Sequence, residues 1–593
     1  MTSDPWEHPR PTLRREWTSL DGTWDFGIGE RTFDREITVP YAPETPASGI
    51  GEKGRIERAW YRRTHRLDDP GAGHRLLVHF GAVDRVATVW ANGERVGDHE
   101  GGYTSFAVDV TDAARRGDGD VELVVRADDP SLDLDAPRGK QEWLDEPHAI
   151  WYPRTTGIWR TVWVERVPET RIVSLRWTTD PKAMTVTATV TVDGPVTDGL
   201  RLGVRIAHRG RTLVDDTLAV LDGVTERTFT IGDRGLDDRV ALLWWPRRPT
   251  LLDATVVLLD ARAQIVDEVE SYVGVRDVRV DDGHVLLNGR PYPLRFVLDQ
   301  GYWPETGLTA PDPAALAEDI RLTKALGFNG ARKHQKVEDP RYLAAADRAG
   351  LLVWVEMPSA YRFTDLAAGR LLREWAEVVG EAANHPSVVG YVPINESWGV
   401  PDLEGAPRQR ALVAALTSMA HALDGTRPVS ANDGWETSGG EIIGVHDYSQ
   451  DPAALRERYG DRVAVDELLT SARRADGKLA DLDRAAAGRR AIVLSEFGGI
   501  ALADDTGGAG WSTQGSAAWG YDNARDGADL VRRYRELWAA VHESDALAGA
   551  CWTQLTDTYQ EVNGLLRFDR SPKAPLDELS AATRGAPFPN GKE

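Results

Sequence analysis

Val392-Pro393-Ile394-Asn395-Glu396-Ser397-Trp398 and Ile492-Val493-Leu494-Ser495-Glu496-Phe497-Gly498 share one form. Each is an apolar run that ends in a glutamate and then turns polar, as a buried parallel strand reads when it delivers a carboxylate to the mouth of a barrel. The stretch from 396 to 496 is far too long for one hairpin and leaves room for further strand-helix units. Two such glutamates can face each other across a sugar, the pairing that glycoside cleavage needs. A lone strand-end glutamate is commonly just an ion-pair partner. Asn395 and the matching second stretch are what point to chemistry.

Around these stretches, residues from about 279 alternate strands with helical periodicity. Pro313 to Leu326 is a predicted helix, with Asp312 placed to cap it, Pro313 in its first position and Gly327 past its end. Further helices are predicted over Pro340 to Ala349 and Leu366 to Ala383. Eight strands are predicted, near 293–299, 328–333, 351–356, 388–396, 428–433, 442–448, 491–496 and 548–554, which makes residues 279–593 a (β/α)8 TIM barrel with the glutamates on strands four and seven. The charged, Ala-rich stretch 451–490 reads as solvated helices. The Gly-rich stretch 502–522, carrying Trp511, Trp519 and Tyr521, reads equally as a flap over the site or as a surface loop.

The first half is all-β. In residues 1–165 short β-branched runs such as Val121-Glu122-Leu123-Val124-Val125 are separated by turn signals such as Asn92-Gly93, as in a jelly-roll sandwich. Residues 166–278 suit an immunoglobulin-like sandwich, with period-two alternation from Met184 to Val192.

The chain has 593 residues, enough for three or four domains. A net charge of −23 argues against nucleic acid and anionic membrane surfaces as partners. The single cysteine, Cys551, leaves no intrachain disulfide and no CxxC metal site. The first ten residues hold no apolar signal core and no run is long enough for a membrane span, so the cytoplasm is the expected location. The 21 tryptophans mostly suit cores and interfaces, with a fraction free to stack on sugar rings. Oligomeric state is left open, a homo-oligomer included.

Other chemistries find little support. Gly49-Ile50-Gly51-Glu52-Lys53-Gly54 matches GxGxxG literally but follows a Pro-rich loop and opens no helix. There is no Gly-x-Ser-x-Gly elbow, and His99-Glu100 lacks the second histidine of a zinc-protease helix. No metal-ligand spacing and no cofactor motif is found.

Several motifs resemble glycoside hydrolase family 2. Leu20-Asp21-Gly22-Thr23-Trp24, Trp60-Tyr61-Arg62-Arg63, Val89-Trp90-Ala91-Asn92-Gly93, His99-Glu100-Gly101-Gly102-Tyr103 and Gly157-Ile158-Trp159-Arg160 are similar to its sugar-binding domain. Trp245-Pro246 and Gly274-Val275-Arg276 are similar to the end of its immunoglobulin-like domain, and Asn288-Gly289-Arg290-Pro291 and Asn384-His385-Pro386-Ser387 to parts of its barrel. The resemblance implies a retaining, exo-acting β-glycosidase with a carbohydrate substrate. It implies Glu396 as acid/base, Asn395 on the sugar 2-hydroxyl, Glu496 as nucleophile, Tyr448 of His446-Asp447-Tyr448 as its hydrogen-bond partner, and Trp552 as a platform under the sugar. Arg332 joins Tyr448 as an expected donor that holds Glu496 as a carboxylate, and Glu396 is expected to have a raised pKa from its neighbour's charge and burial. Asp299, Glu356, Asn432 and Trp435 end other strands or their loops and are candidates for substrate hydroxyls or stacking, and equally for supporting the residues that touch the substrate; His334 and His446 are further candidates for binding the substrate.

The sequence also departs from the family. In Arg332-Lys333-His334-Gln335, His334 stands one position early, and strand one ends Leu298-Asp299-Gln300 where many members have Arg-His. The family's aspartate from the first domain is not evident at Trp151-Tyr152-Pro153-Arg154. The Asn-x-Lys pair with which its glucuronidases hold a carboxylate is missing near Val562-Asn563-Gly564-Leu565. The expected sugar is therefore neutral, β-galactose or a relative, with another neutral sugar (furanoside, arabinoside or mannoside) next and a glucuronide disfavoured. A carbohydrate-binding relative without turnover is the non-enzyme alternative, against which the intact glutamate pair stands.

Overall fold

The computed structural model describes residue 8 and residues 14–117, 119–232, 238–470, 478–483, 490–502 and 518–585. Trp511 of the Gly-rich stretch lies outside these residues.

Alternation builds the two sandwiches. In the first, a six-stranded antiparallel sheet runs in the order Arg35–Val39, Gly22–Ile28, Arg58–Arg66, Asp120–Asp128, Val86–Ala91, Glu94–Glu100. Asn92 and Gly93 both take positive φ and make the tight turn between the last two strands in chain order. A four-stranded sheet, in the order Trp17–Ser19, Val162–Pro168, His74–Phe80, Phe106–Asp109, encloses with it a core that includes Trp24, Phe26, Tyr61 and Phe80. In the second sandwich Val186, Ala188, Val190 and Val192 of Thr185–Asp193 all face inward. Its three- and four-stranded sheets close over a separate core.

The third unit is a TIM barrel. Seven parallel strands pair in the order Val388–Val392, Leu352–Glu356, Gly330–Lys333, Leu294–Asp299, Leu547–Thr553, Ala491–Gly498, Ile442–Asp447. The strand expected at 428–433 forms no ladder strand. The segment makes only isolated bridges, Tyr391 with Val429 and Asn395 with Asp433 on one side and Ser430 with Ile442 on the other. Pro428 has no N–H to give, and Asn432 and Asp433 spend their side chains on local bonds described below. This irregular segment closes the wall. Helices pack outside. The expected cap forms, Asp312 Oδ1 accepting from Ala315 N at 2.7 Å ahead of Pro313–Ala325, and Thr364 Oγ1 likewise accepts from Ala367 N at 3.0 Å ahead of Asp365–Ala382. Among the described residues no helix is long and apolar enough to cross a membrane.

Candidate active site

Arg332 organises the barrel mouth. It sits on Gly330–Lys333 with its side chain fully buried. A buried guanidinium must spend its donors on acceptors, and here they go to four wall positions. Nε donates to Glu356 Oε2 at 2.7 Å, Nη2 to Asn395 Oδ1 at 2.7 Å, and Nη1 to Glu496 Oε1 at 2.9 Å, with Asp433 Oδ2 3.0 Å from Nη1. Its charge, set against the cost of burial, holds Glu356 and Asp433 below the ordinary carboxylate range.

Glu496 lies within Ala491–Gly498, where the register against Ile442–Asp447 slips: Val445 pairs with Leu494 but His446 with Glu496. The extra residue, Ser495, is a bulge of the kind that re-aims a side chain. Tyr448 Oη donates to Glu496 Oε2 at 2.5 Å, so both carboxylate oxygens are held.

Glu396 lies beyond its strand, which ends at Val392 rather than running to 396. It stands in a turn in which Glu396 and Ser397 both have positive φ, 50° and 55°. Each such non-glycine residue costs about 1–3 kcal/mol and persists only when its surroundings over-determine it. The irregular wall segment does that: Glu396 N donates to Asp433 O at 2.9 Å and Ser397 N to Asn432 Oδ1 at 3.0 Å. On its side chain, Trp398 Nε1 donates to Oε2 at 3.3 Å, and His446 Nδ1 lies 2.8 Å from Oε1. His446 Nε2 is 3.1 Å from Asp433 Oδ2 and 3.3 Å from Glu496 Oε1, so one ring bridges three carboxylates.

This bridge corrects one expectation. Burial alone would push Glu396 up, but the hydrogen bond and charge of His446 outweigh it, and the carboxyl is lowered to about 2. Burial likewise works against charging His446, but the carboxylates of Glu496, Asp433 and Glu396 carry it up to about 9. In this state the pair's proton rests on the imidazole, not on Glu396.

The remaining sequence candidates divide. His334 comes close, its Nδ1 3.0 Å from Glu356 Oε1 and 4.0 Å from Glu496 Oε1. Glu356 is a buried brace for Arg332. Asn432 is saturated by support of the Glu396 turn: Nδ2 donates to Ser397 Oγ at 2.8 Å and to Glu436 O at 2.5 Å. Asp299 turns away from the pair into an ion network, 2.6 Å from Lys333 Nζ, whose ammonium in turn lies 2.7 Å from Glu338 and over the Tyr342 ring. Trp552 does not line the site either. Successive strand residues face opposite sides: Thr553 Oγ1 comes 3.3 Å from Tyr448 Oη, and Cys551 joins the barrel interior. Trp552 therefore faces outward, fully buried against Phe497 and Tyr534 with ring centroids at 5.1 and 4.5 Å. Trp435 is half-buried near Trp398.

Sequence reasoning missed Asp433, although it follows the candidate Asn432, and it missed the first domain's share. A strap at residues 138–141 lies across the mouth, with Arg138 N and Gly139 N both donating to Ser359 O at 3.1 Å. Gly139 has φ +61°, and a β-carbon there would stand 2.4 Å from Gln335 O. The strap carries Lys140, nearly buried, whose ammonium acts on the carboxyls of both Glu396 and Glu561. Burial raises Glu561 against that pull, and Tyr152 Oη donates to it at 2.5 Å. No periodicity or turn signal in Arg138-Gly139-Lys140-Gln141 links it to a barrel.

One oxygen of Glu396, one of Glu496 and one His446 ring nitrogen lie within 4.8 Å of one another, close enough to be read as a metal set. A cation there would face the Arg332 guanidinium, 2.9 Å from Glu496 Oε1, and would have to displace the imidazolium. The guanidinium and the proton on His446, rather than the ligand types, are what oppose a metal here.

The bridge makes stability depend on pH. His446 binds its proton more tightly in the folded than in the unfolded chain. The stability this adds is complete below its ordinary value of 6.5 and is lost as pH climbs through about 9. His446→Asn should therefore melt well below the unsubstituted protein near pH 6, and the gap should narrow by about 1 kcal/mol or more towards pH 9. A gap independent of pH in thermal melts would show that His446 is not charged there.

Comparison with known proteins agrees with this architecture. Family models for glycosyl hydrolases family 2 match in order: the sugar binding domain at residues 44–168, the central domain at 170–276 and the TIM barrel domain at 278–458, together more than half of the chain. A β-galactosidase of Thermoanaerobacter pseudethanolicus is 27% identical over 416 residues, 69% of this chain and 53% of that protein. A putative β-glucuronidase of Formosa agariphila is 26% identical over 420 residues, 67% of this chain and 47% of that protein. The match thus spans about half the length of these two relatives. The apo structure of Bacteroides uniformis β-glucuronidase 3 shares the fold, with a TM-score of 0.73 at 17% identity, covering 98% of this chain and 76% of that one. The chain belongs to glycoside hydrolase family 2.

Proposed function

We propose that the protein is a retaining β-glycosidase that removes a terminal neutral sugar, with Glu496 as nucleophile and Glu396 as acid/base. The observation that carries this reading is the glutamate pair itself. One oxygen of each lies within 4.8 Å of the other, in keeping with the ~5–5.5 Å carboxyl separation of retaining enzymes. Glu496 attacks the anomeric carbon while the bond to the departing oxygen breaks and Glu396 protonates that oxygen. His446, 2.8 Å away, supplies the proton that Glu396 lacks in the free protein. In the second step Glu396 takes a proton from water, the hydroxyl attacks the anomeric carbon, and Glu496 leaves. Asn395 supports the same pose: Arg332 fixes its Oδ1, and its buried Nδ2, without a hydrogen-bond partner, is a donor for a sugar hydroxyl.

Two observations favour a neutral sugar such as β-galactose over a uronic acid. The loop directly after the last barrel strand holds no Asn-x-Lys, since Asn563 is followed by Gly564 and Leu565. The buried Glu561 carboxyl, with Asn563 Nδ2 donating to it at 3.1 Å, disfavours a second carboxylate nearby, whereas Glu561 and Lys140 together suit hydroxyls. A panel of nitrophenyl β-glycosides is the test. Turnover of the galactoside or another neutral glycoside should exceed that of the glucuronide by at least about tenfold, ~1.4 kcal/mol in barrier. The reverse order would overturn the sugar assignment and leave the glutamate roles standing. No turnover of any glycoside would favour a carbohydrate-binding protein.

A further inference from the structure

Beside Glu396 the mouth of the barrel is walled by five half-buried aromatic rings from two domains. Trp143 and Trp151 come from the first domain and Tyr361, Trp398 and Trp435 from the barrel. The wall is continuous: ring centroids lie 4.7 Å apart for Trp143 and Trp151, 5.8 Å for Trp151 and Trp398, 5.1 Å for Tyr361 and Trp398, and 6.1 Å for Trp398 and Trp435. Most of these contacts are edge-to-face or tilted, so the rings form a corner rather than one flat platform.

Three of the wall's five polar handles are already engaged. Trp151 Nε1 donates to Tyr361 Oη at 2.8 Å, Tyr361 Oη to Gly139 O at 2.6 Å, and Trp398 Nε1 to Glu396 Oε2 at 3.3 Å. What these three residues have left to offer is ring carbon. A second sugar would bring hydroxyls that need partners, whereas a flat apolar ring needs none. The contact of Trp398 with Glu396 places the wall on the side where the departing oxygen is protonated.

We infer that this wall is a binding site for the leaving group of the substrate, and that the leaving group is aromatic. The inference rests on Glu396 being the acid that meets the departing oxygen, but its test needs no turnover. Methyl and 2-phenylethyl 1-thio-β-D-glycosides resist hydrolysis, and calorimetry reads their binding directly, in both the galactose and the glucuronic acid series. In whichever series binds, the phenylethyl compound should bind at least about tenfold more tightly than the methyl one, as burial of a phenyl ring entails. Trp143→Ala and Trp151→Ala should each cut that ratio to within about threefold, and Trp143→Phe should keep most of it, since a phenyl edge remains in the corner. Thermal melts establish that each variant is folded, and the half-buried Trp143 gives a second route should Trp151→Ala misfold. Equal binding of the methyl and phenylethyl compounds, a ratio that survives both alanine variants, or no millimolar binding of either phenylethyl compound would overturn the site. Loss of hydrolysis with the ratio intact would instead count against the catalytic roles alone.

Discussion

Glu496→Gln should remain folded and lose turnover of every β-glycoside by more than about 10³-fold, ~4 kcal/mol of barrier. The amide oxygen still accepts from Arg332 or Tyr448, and Arg332 keeps Glu356 and Asp433 as counter-charges, so the cluster is not left with a bare cation. What disappears is the only atom proposed to bond the anomeric carbon. A small-residue variant sharpens the point. In Glu496→Gly, azide added to an activated glycoside should attack from the vacated face and give the α-glycosyl azide, with inversion. Turnover of Glu496→Gln within about tenfold of the unsubstituted protein would remove Glu496 from the nucleophile's role.

Glu396→Ala should behave differently, and the difference tests role rather than importance. A dinitrophenolate leaves without a proton, so the first step should survive with modest loss. An alkoxide-like leaving group should suffer by about 10²–10⁴-fold, the usual worth of general acid catalysis. The second step lacks its base in either case, so the glycosyl-enzyme should accumulate and a burst of dinitrophenolate should appear. Azide needs no deprotonation and should release a β-glycosyl azide with retained configuration. If the azide products of the two variants are exchanged, the glutamates have exchanged roles. If neither variant is rescued, the pair is a binding feature.

The strands that bring Glu396 and Glu496 to the barrel mouth were legible because an apolar run ending in a carboxylate is a local pattern. The resemblance puts Tyr448 beside Glu496, and the need to keep Glu496 ionised adds Arg332 as a donor; both contacts are present. What was not legible depends on register or on distant chain. Whether Trp552 faces in or out turns on a single step of strand alternation, and Thr553 has the inward place. Asp299 reads like a site residue until Lys333, one strand over, claims it. The expected rise in the Glu396 pKa failed because nothing in His446-Asp447-Tyr448 announces that the imidazole will bridge three carboxylates. The strand expected at 428–433 has the right composition, but its side chains are committed to the Glu396 turn. Lys140 lies more than 250 positions from the glutamate it acts on, beyond the reach of any local pattern.

The strap through Gly139 has a consequence for how such a protein can change over generations. Because the first domain lends Lys140, Trp143 and Trp151 to the mouth of a barrel that carries the glutamates, the two units are not exchangeable cassettes. A barrel grafted behind a different sandwich would keep its glutamate pair and lose one side of the vestibule, and new preferences would have to arise by matched drift on both sides of the seam. Gly139 polices that seam: any larger residue presses on Gln335 O and lifts the whole fringe, so inheritance is free to vary what the strap carries but not the hinge on which it lies.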